Sequence, residues 1–272
     1  MIKVTQYGEV KRFDLAKTIA GRGRYWTTCY LVDDTLIDSG PAHTDTELLT
    51  HLKPNQLARI INTHSHEDHI GANAVLQKQY PELQIYAHPL ALAVLEDPRG
   101  AQPLQRYRRL FWGWPMPCIA QPISDGERIV TNTHSFDVIH TGGHSRDHIC
   151  LYEPDQGWIF SGDLFVGGRD RALGASYDIH GIIAGLKKLA ALPAKILFPG
   201  SARVRMQPAQ ALNNKIDYLE DLGGRVQDLH KKGFDIPQIA RQLLGGPKWI
   251  ELITWGRFSR QHLIRSYLKN QA

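Results

Sequence analysis

Three histidines and one aspartate fall within six consecutive positions of the chain, in the stretch THSHEDHIG at 63–71. They are His64, His66, Asp68 and His69. Imidazole nitrogen and carboxylate oxygen are the donors that bind zinc and related first-row metals. On an extended segment His64 and His66 point to the same side, so they can share one ion. Asp68 and His69 lie one step further round the turn and are free to bind a second ion. The stretch therefore predicts a metal site.

Short apolar runs typical of strands must hold this loop and its partners at one sheet edge. The run Leu57–Ile61 leads directly into the metal loop. Three later apolar runs also end in a Gly turn that carries a polar residue. Their endings TGGHSRDH, FSGD and FPGS supply His144, Asp163 and Ser201. We expect these side chains to meet the metal loop.

The order of these motifs resembles the metallo-β-lactamase superfamily, whose signature is THxHxDH, then a distant His and a distant Asp. The resemblance covers roughly residues 10–205. It implies an α/β fold, namely a four-layer αβ/βα metallo-β-lactamase sandwich with metals at the sheet edge. Asp163 would bridge two ions. The implied ligand sets are His64, His66 and His144 for the first ion and Asp68, His69 and Asp163 for the second.

Two ions about 3.5–4 Å apart can share a hydroxide whose pKa falls towards ~7. This nucleophile would attack a carbonyl or phosphoryl centre. We assign Asp68 a catalytic role, because it can orient the hydroxide and later transfer a proton. The expected cofactor is zinc, as two Zn2+ ions with the second more weakly bound. Iron and manganese are alternatives, since related proteins use the same scaffold with iron.

The chain departs from the superfamily pattern at its last motif. The usual Pro-Gly-His ends here in Ser201, and a neutral hydroxyl is a weaker ligand than imidazole. This predicts a looser second site, or a metal-binding protein with little turnover. Around the ligands, Asp38 is expected to orient a histidine through its other ring nitrogen, or alternatively to cap a turn. His148 is a spare imidazole expected to support the site rather than bind metal.

Residues 88–121 interrupt the strand pattern and are rich in Pro, Arg and aromatic residues. This insertion predicts either a lid over the cleft or a helix whose aromatics pack on the domain and whose arginines are solvated. A guanidinium beside an aromatic face is suited to binding anions and rings. The candidate substrate-binding residues are Arg106, Arg108, Arg109 and Trp112.

Composition sets broad limits on the function. Lys+Arg exceed Asp+Glu by 32 to 27, a mild excess that permits an anionic substrate without establishing a nucleic-acid binder. No apolar run reaches the length of a membrane span, and the N-terminus lacks the apolar core of a signal peptide. The three cysteines are odd in number and far apart, which favours a reducing compartment. We therefore expect a cytoplasmic chain without membrane contact.

The patterns divide the chain into a metallo-β-lactamase-like domain at 1–205 and a helical C-terminal domain at 206–272. The second part carries ten Lys+Arg against six Asp+Glu. Together with the GHSxDH variant, it resembles a branch of the superfamily with a small winged-helix-like C-terminal domain. That branch includes an endoribonuclease and many bacterial hydrolases. We expect the tail to be a packing or dimer element, or alternatively a nucleic-acid contact.

Helices are predicted at Thr46–Leu52, Ala72–Gln79, Pro208–Leu222, Ile236–Leu244 and Trp249–Leu268, and a hairpin at 28–38.

These observations favour a metal-dependent hydrolase of an ester, thioester, lactone or phosphoester, acting on an anionic small molecule. An endoribonuclease or nucleic-acid-binding protein of the same fold is the alternative. The chain would be a monomer or a homodimer. Nucleic-acid binding would weaken steeply with salt, whereas turnover of a small ester would not.

Overall fold

The computed structural model describes residues 1–53, 57–247 and 249–269. Residues 54–56, 248 and 270–272, which the two predicted domains include, lie outside the described residues. Two sheets form the centre of the fold. The seven strands of the first sheet, in spatial and chain order, are β1 Ile2–Tyr7, β2 Val10–Ile19, β3 Arg22–Val32, β4 Thr35–Ile37, β5 Arg59–Ile61, β6 Gln84–Ala87 and β7 Gln121–Pro122.

The first sheet changes from antiparallel to parallel along its width. Strands β1 to β4 are antiparallel neighbours, and β4 to β7 are parallel. The predicted hairpin is present, because β3 and β4 are joined by the two residues after Val32. Parallel strands require crossover connections, and these carry the helices α1 Asp45–Leu49 and α2 Asn73–Gln79. The ends of β4 and β5 therefore lie at the same edge.

The second sheet repeats this plan with five strands in the order β13-β11-β10-β9-β8. Its β11–β13 pair is parallel and the other pairs are antiparallel. A third, two-stranded sheet joins β12 to β14. The bounds are β8 Arg128–Val130, β9 Ser135–His140, β10 Ile149–Glu153, β11 Trp158–Gly162, β12 Leu173–Gly174, β13 Ile196–Pro199 and β14 Phe258–Ser259.

Alternating side chains on each strand divide the core into three apolar layers. Tyr30 and Leu151 face the space between the two sheets, while the next residue of β3, Leu31, faces outward. The outer layer of the first sheet packs under α1, α2 and α3, and that of the second sheet packs under α6, α7, α8 and α10. These helices are α3 Leu92–Glu96, α6 Ile179–Ala190, α7 Pro208–Lys231, α8 Ile236–Leu244 and α10 Arg260–Leu268. The predicted four-layer αβ/βα sandwich with a helical C-terminal appendage is confirmed.

Backbone hydrogen bonds join the two sheets at the edge that carries the polar turns. The amide of Ile149 donates to the carbonyl of Thr63 at 2.8 Å, which links β10 to the metal loop. The amide of Thr28 donates to the carbonyl of Gly200 at 2.6 Å, which links β3 to the end of β13. These bonds hold the metal loop and the turn after β13 in fixed positions relative to the second and the first sheet.

The C-terminal helices differ from the prediction in two places. Helix α7 continues past Leu222 to Lys231, because Gly223 lets the Tyr267 ring pack against it and Val226 extends the buried face. A Cβ at Gly223 would lie 2.9 Å from that ring. The continuous helix at 249–268 was wrong, since the chain forms α9 Trp249–Ile253, then β14, then α10. Trp255 and Gly256 adopt positive φ angles, which end α9.

Other boundaries shift by a few residues. The first helix spans Asp45–Leu49 rather than reaching Leu52, and the strand before the metal loop begins at Arg59 rather than Leu57. The insertion at 88–121 contains α3 and two further helices, α4 Pro98–Ala101 and α5 Arg106–Trp112. No described helix is both long and apolar enough to cross a membrane. The three cysteines are buried and free of disulfides.

Candidate metal centre

The loop that follows β5 holds the dense histidine cluster in a fixed shape. The Asp38 carboxylate accepts from the amide and the hydroxyl of Thr63 at 2.7 and 2.8 Å. The amide of Ser65 donates to Asp147 at 2.8 Å, and the amide of His69 closes a turn onto the carbonyl of His66 at 2.9 Å. Hydrogen bonds of this kind orient the side chains of the loop before any ligand binds.

Three imidazoles converge on one point. Nε2 of His64 and Nε2 of His144 each lie 3.0 Å from Nδ1 of His66. His64 and His144 are buried, His66 is half-buried, and the donor atoms of the three rings lie within 4.8 Å of one another. This group has the composition of a three-histidine site that leaves one tetrahedral position open.

A second group of donors adjoins the first. His64, His69 and Asp163 also bring their donor atoms within 4.8 Å of one another. Asp163 Oδ2 lies 3.6 Å from Nε2 of His69 and 3.9 Å from Nε2 of His144, so it borders both groups. Asp68 Oδ2 lies 3.8 Å from His69 Nε2 but belongs to neither compact group. The structure thus places Asp163 between the groups and Asp68 at their margin.

The hydrogen bonds of His64 and His69 to residues outside the donor groups are made through Nδ1, so Nε2 of each ring faces the donor groups. Nδ1 of His69 donates to Asp38 Oδ2 at 2.8 Å. Because the Thr63 hydroxyl donates to Asp38, it accepts from Nδ1 of His64, at 3.0 Å. Nε2 of His69 is buried and has no hydrogen-bond partner among the described residues. An orphaned, buried ring nitrogen beside two carboxylates fits a bound cation, since its lone pair would otherwise be unsatisfied.

Electrostatics favour the same interpretation. Burial lowers the pKa of His64 and His66 well below the usual value and that of His144 to about 4, so these rings are neutral donors. Burial opposes a charge on His69, but Asp38, Asp163 and Asp68 outweigh it and raise its pKa. Burial raises the pKa of Asp68. The site gathers negative charge around His69 that a divalent cation would offset.

Ser201 lies at the position where the superfamily pattern has its last histidine. Its hydroxyl donates to Asp163 Oδ1 at 2.9 Å. The preceding Gly200 passes so close that a Cβ there would lie 2.9 Å from both Asp163 Oδ1 and His69 Cε1. The turn is therefore packed against the second donor group, and Ser201 reaches that group through Asp163.

His148 lies beneath the site and has both ring nitrogens occupied. The amide of Asp163 donates to Nε2 of His148 at 3.2 Å. The proton is therefore on Nδ1, which donates to the Thr141 hydroxyl at 2.9 Å. His148 is fully buried, and its burial lowers its pKa well below the usual value. Its geometry supports the backbone of Asp163.

Four of the candidate ligands, His66, Asp68, His144 and Asp163, line a cavity of about 540 Å³, and His64 and His69 are buried behind them. Its walls come from β3, the insertion helix α5, the segment after β11 and the segment before β14. Arg108 and Trp112 line it, whereas Arg106 and Arg109 do not and are exposed. A helix directs residues three and four apart to one side, so α5 presents Arg108 to the cavity and its two neighbouring arginines to solvent.

Several contributors escaped the sequence analysis. Glu67, inside the metal loop, is fully buried and accepts from Nε of Arg108 at 2.5 Å in a two-pronged ion pair. Burial raises the pKa of Glu67, which Arg108 offsets in part.

The Tyr177 ring covers His144 at 4.5 Å between centroids. Thr27 donates to Asp68 Oδ2 at 3.1 Å. Only the bond of Asp147 to the amide of Ser65, described above, had a sequence signal, because Asp147 is the acid of the GHSxDH motif.

Comparison with known proteins agrees with this fold. Residues 23–201 match the profile of the metallo-beta-lactamase superfamily, and the chain belongs to that superfamily. A hydroxyacylglutathione hydrolase of Gloeothece citriformis is 33% identical over 142 residues, which are 51% of this chain and 47% of that protein. The match thus spans about half the length of such relatives.

Two solved structures extend the comparison. The protein TTHA1623, solved in a di-iron-bound form, is 31% identical with a TM-score of 0.56, covering 70% of this chain and 94% of that one. A beta-lactamase domain protein from Burkholderia ambifaria is 13% identical with a TM-score of 0.72, covering 98% of this chain and 87% of that one. The latter shows that the fold similarity includes the C-terminal helices. The branch with a winged-helix-like C-terminal domain stays a prediction.

Proposed function

We propose that the chain is a metal-dependent hydrolase that cleaves a thioester or a related ester of a small molecule. The observation that carries this proposal is the pair of adjoining donor groups, which contain an orphaned His69 Nε2 and border a cavity through His66, His144 and Asp163. Among the predicted ester, thioester, lactone and phosphoester substrates, the thioester is favoured, because the relatives named hydroxyacylglutathione hydrolase have a thioester substrate.

The first metal would be held by His64, His66 and His144, and the second by His69, Asp163 and Asp68. Neutral imidazoles with carboxylates suit zinc, and the same donors suit iron and manganese. TTHA1623 was solved with two irons, which supports a test of iron beside zinc. When bound, the metals would supply an activated water and polarise the substrate carbonyl.

The chain's own residues would position the reaction. The Thr27 hydroxyl donates to Oδ2 of Asp68 at 3.1 Å. This bond fixes the orientation of the carboxylate and therefore the direction of its other oxygen. Asp68 lines the cavity and would accept the proton of the attacking water and pass it to the leaving group. His148 fixes the backbone of Asp163, and Asp38 fixes the His69 ring. Preorganised groups of this kind lower the barrier without moving during the reaction.

An anionic substrate needs a cation that is not already paired. Arg108 lines the cavity, but its guanidinium is already paired with the buried carboxylate of Glu67. Arg257 also lines the cavity and is exposed, and no ion pair between described side chains uses it. Arg257 is therefore our added candidate for binding an anionic group of the substrate, beside Arg108 and Trp112 of the four insertion residues predicted earlier, which also line the cavity.

The two alternatives stay predictions. A nucleic-acid role rests on the excess of basic residues after 205, but Lys215, Arg225 and Arg260 of this part are each paired with a carboxylate. A metal-binding protein with little turnover rests on Ser201, which donates to Asp163 rather than offering an imidazole. The division into domains at residue 205, a cytoplasmic location, and a monomeric or homodimeric state also stay predictions.

Metal reconstitution followed by a substrate panel tests the proposal. The metal-free protein is loaded with zinc, iron or manganese and assayed with a hydroxyacylglutathione thioester, a p-nitrophenyl ester, a lactone and a phosphodiester. We expect turnover of the thioester that a chelator abolishes and metal restores. His43→Ala, at an exposed histidine outside the donor groups, is the matched control for His66→Ala. Loaded protein that hydrolyses none of the four substrates would contradict the proposal.

A further inference from the structure

We infer that this cavity selects substrates with a flat, apolar group directly beside the scissile bond. The inference rests on the proposed hydrolase function and names its substrate class. It is carried by an aromatic wall, defined here as Tyr25, Phe111 and Trp112, all of which line the cavity. The wall joins two parts of the chain that are far apart in sequence, the first sheet and the insertion.

A β-bulge in the first sheet sets the position of Tyr25. Leu15 pairs with Thr27, but Lys17 pairs with Arg24, so β3 contains one residue more than β2 over this interval. Tyr25 lies within this bulge and has a φ of +57°, a conformation rare for a bulky side chain. Bulges beside active sites redirect side chains. Here the result is a tyrosine ring directed at the insertion.

The redirected ring meets α5 in a close stack. The centroids of Tyr25 and Phe111 lie 3.7 Å apart at an interplanar angle of 28°. Trp112 contacts Tyr25 and Phe111 edge to face, at 6.2 and 6.0 Å between centroids. Aromatic groups arranged in these geometries attract one another beyond the effect of apolar burial. A strained residue in such a stack favours a role in recognition over one in the fold alone.

The wall stands next to the chemistry. Thr27 lies two residues from Tyr25 on the same strand and donates to Asp68 Oδ2. When a substrate binds at the donor groups, the atoms next to its scissile bond would therefore contact the aromatic wall. Leu164, Leu173 and Phe258 also line this cavity. A polar peptide-like group at the wall would lose water without gaining hydrogen bonds, whereas an apolar ring would gain contact.

Two matched thioester series test the inference. The first varies the acyl group, acetyl against phenylacetyl, on the same thiol, N-acetylcysteamine. The second keeps the acetyl group and varies the thiol, methyl against benzyl mercaptan. The corresponding thioethers, which are not cleaved, are titrated in parallel by tryptophan fluorescence, since Trp26 and Trp112 line the cavity. The two series determine which side of the scissile bond carries the ring.

We expect the phenyl-bearing compound of one series to bind at least tenfold more tightly than its methyl counterpart. Tyr25→Gly keeps the positive φ accessible while removing the ring, and should lose most of this preference. Tyr25→Phe should retain it, and Phe111→Leu should lose it. Phe234→Ala, at an exposed ring outside the cavity lining, is the control for loss of an aromatic side chain.

The outcomes separate the inference from the function. Equal binding of phenyl and methyl compounds in both series, or a preference that survives in Tyr25→Gly and Phe111→Leu, would overturn the inference. A binding preference without turnover by any metal-loaded protein would support the wall and contradict the hydrolase. Turnover of all thioesters with equal kcat/KM, together with equal binding, would support the hydrolase and overturn the wall.

Discussion

Nδ1 of His69 donates to Oδ2 of Asp38 at 2.8 Å, and this bond leaves Nε2 of His69 facing the donor groups without a partner among the described residues. Asp38 has a φ of +60°, a strained conformation at the end of β4. The carboxylate thus fixes both the tautomer and the ring orientation of His69. Strain of this kind is held in place by surrounding bonds and is frequent at functional sites.

Asp38→Asn should weaken binding at the second metal. Asparagine tolerates a positive φ, so the backbone is kept, but its amide cannot accept all the bonds that the carboxylate accepts. Loss of an outer partner of a metal-binding histidine lowers affinity roughly 10–100-fold. Competition with a chromophoric chelator measures both affinities. Asp34→Asn, at an ion pair with Arg59, is the control. An unchanged second affinity would show that Asp38 does not orient a ligand.

Asp68→Asn and His66→Ala should separate catalysis from metal binding. His66 lies 3.0 Å from both other imidazoles, so its loss should remove the first metal and the activity together. Asp68 lies at the margin of the donor groups. Its conversion to the amide should lower kcat by roughly 100- to 10,000-fold while the first metal is retained. Elemental analysis and kcat are measured on the same samples. Equal loss of both metals in Asp68→Asn would refute this division.

The ion pair between Glu67 and Arg108 predicts a strong effect on stability. Glu67 is fully buried, so Arg108→Met would leave its charge without a partner. Breaking a buried pair in this way costs about 3–5 kcal/mol of unfolding free energy. Urea unfolding of the metal-free protein measures the loss, and the double variant Glu67→Gln with Arg108→Met should recover most of it. A double variant no more stable than Arg108→Met would mean that the two residues do not act as a pair.

The metal loop could be predicted because its chemistry is local. His64, His66, Asp68 and His69 are nearly adjacent, and the strand before them is apolar. The layers followed from alternating strands and amphipathic helices in the same way. The roles of the individual site residues stay predictions, although the structure brings the donors within reach of one another.

Features that depend on distant contacts could not be predicted. The arginines of α5 looked alike in sequence, yet Arg108 alone of the three lines the cavity, because a partner 41 residues away holds it. The bulge at Tyr25 adds one residue to an otherwise regular alternation, which no local pattern reports. Helix α7 crosses Gly223 because Tyr267, far along the chain, packs there. Tertiary contacts decide such cases over local propensity.

The cysteines should be unreactive in the folded protein. Burial raises the pKa of Cys150 to about 12 and that of Cys118 to about 11, and it raises the pKa of Cys29 as well. At pH 8 all three thiols therefore remain protonated, and the thiolate is the reactive form. A thiol reagent should label none of them in native protein and all of them in urea. Rapid labelling of the native protein would contradict the burial of these side chains.

Ser201→His tests the departure from the superfamily pattern. Ser201 lines the cavity and bonds Asp163 Oδ1 at 2.9 Å, so an imidazole at this position starts next to the second donor group. A further nitrogen donor should tighten the second metal by at least about tenfold. Ser201→Ala removes the hydroxyl without adding a donor and controls for loss of the bond to Asp163.

The affinity and the activity of these two variants answer different questions. A tighter second metal in Ser201→His, with no such gain in Ser201→Ala, would establish that position 201 faces the metals. If kcat then rises for the thioester, weak metal binding at the second site limits the activity of the natural chain. That result is expected for a site that lacks the usual imidazole. If kcat falls while the metal binds more tightly, Ser201 leaves room that the substrate needs, because the same side chain lines the cavity. An unchanged second affinity in both variants would mean that position 201 does not face the metals and acts only through Asp163.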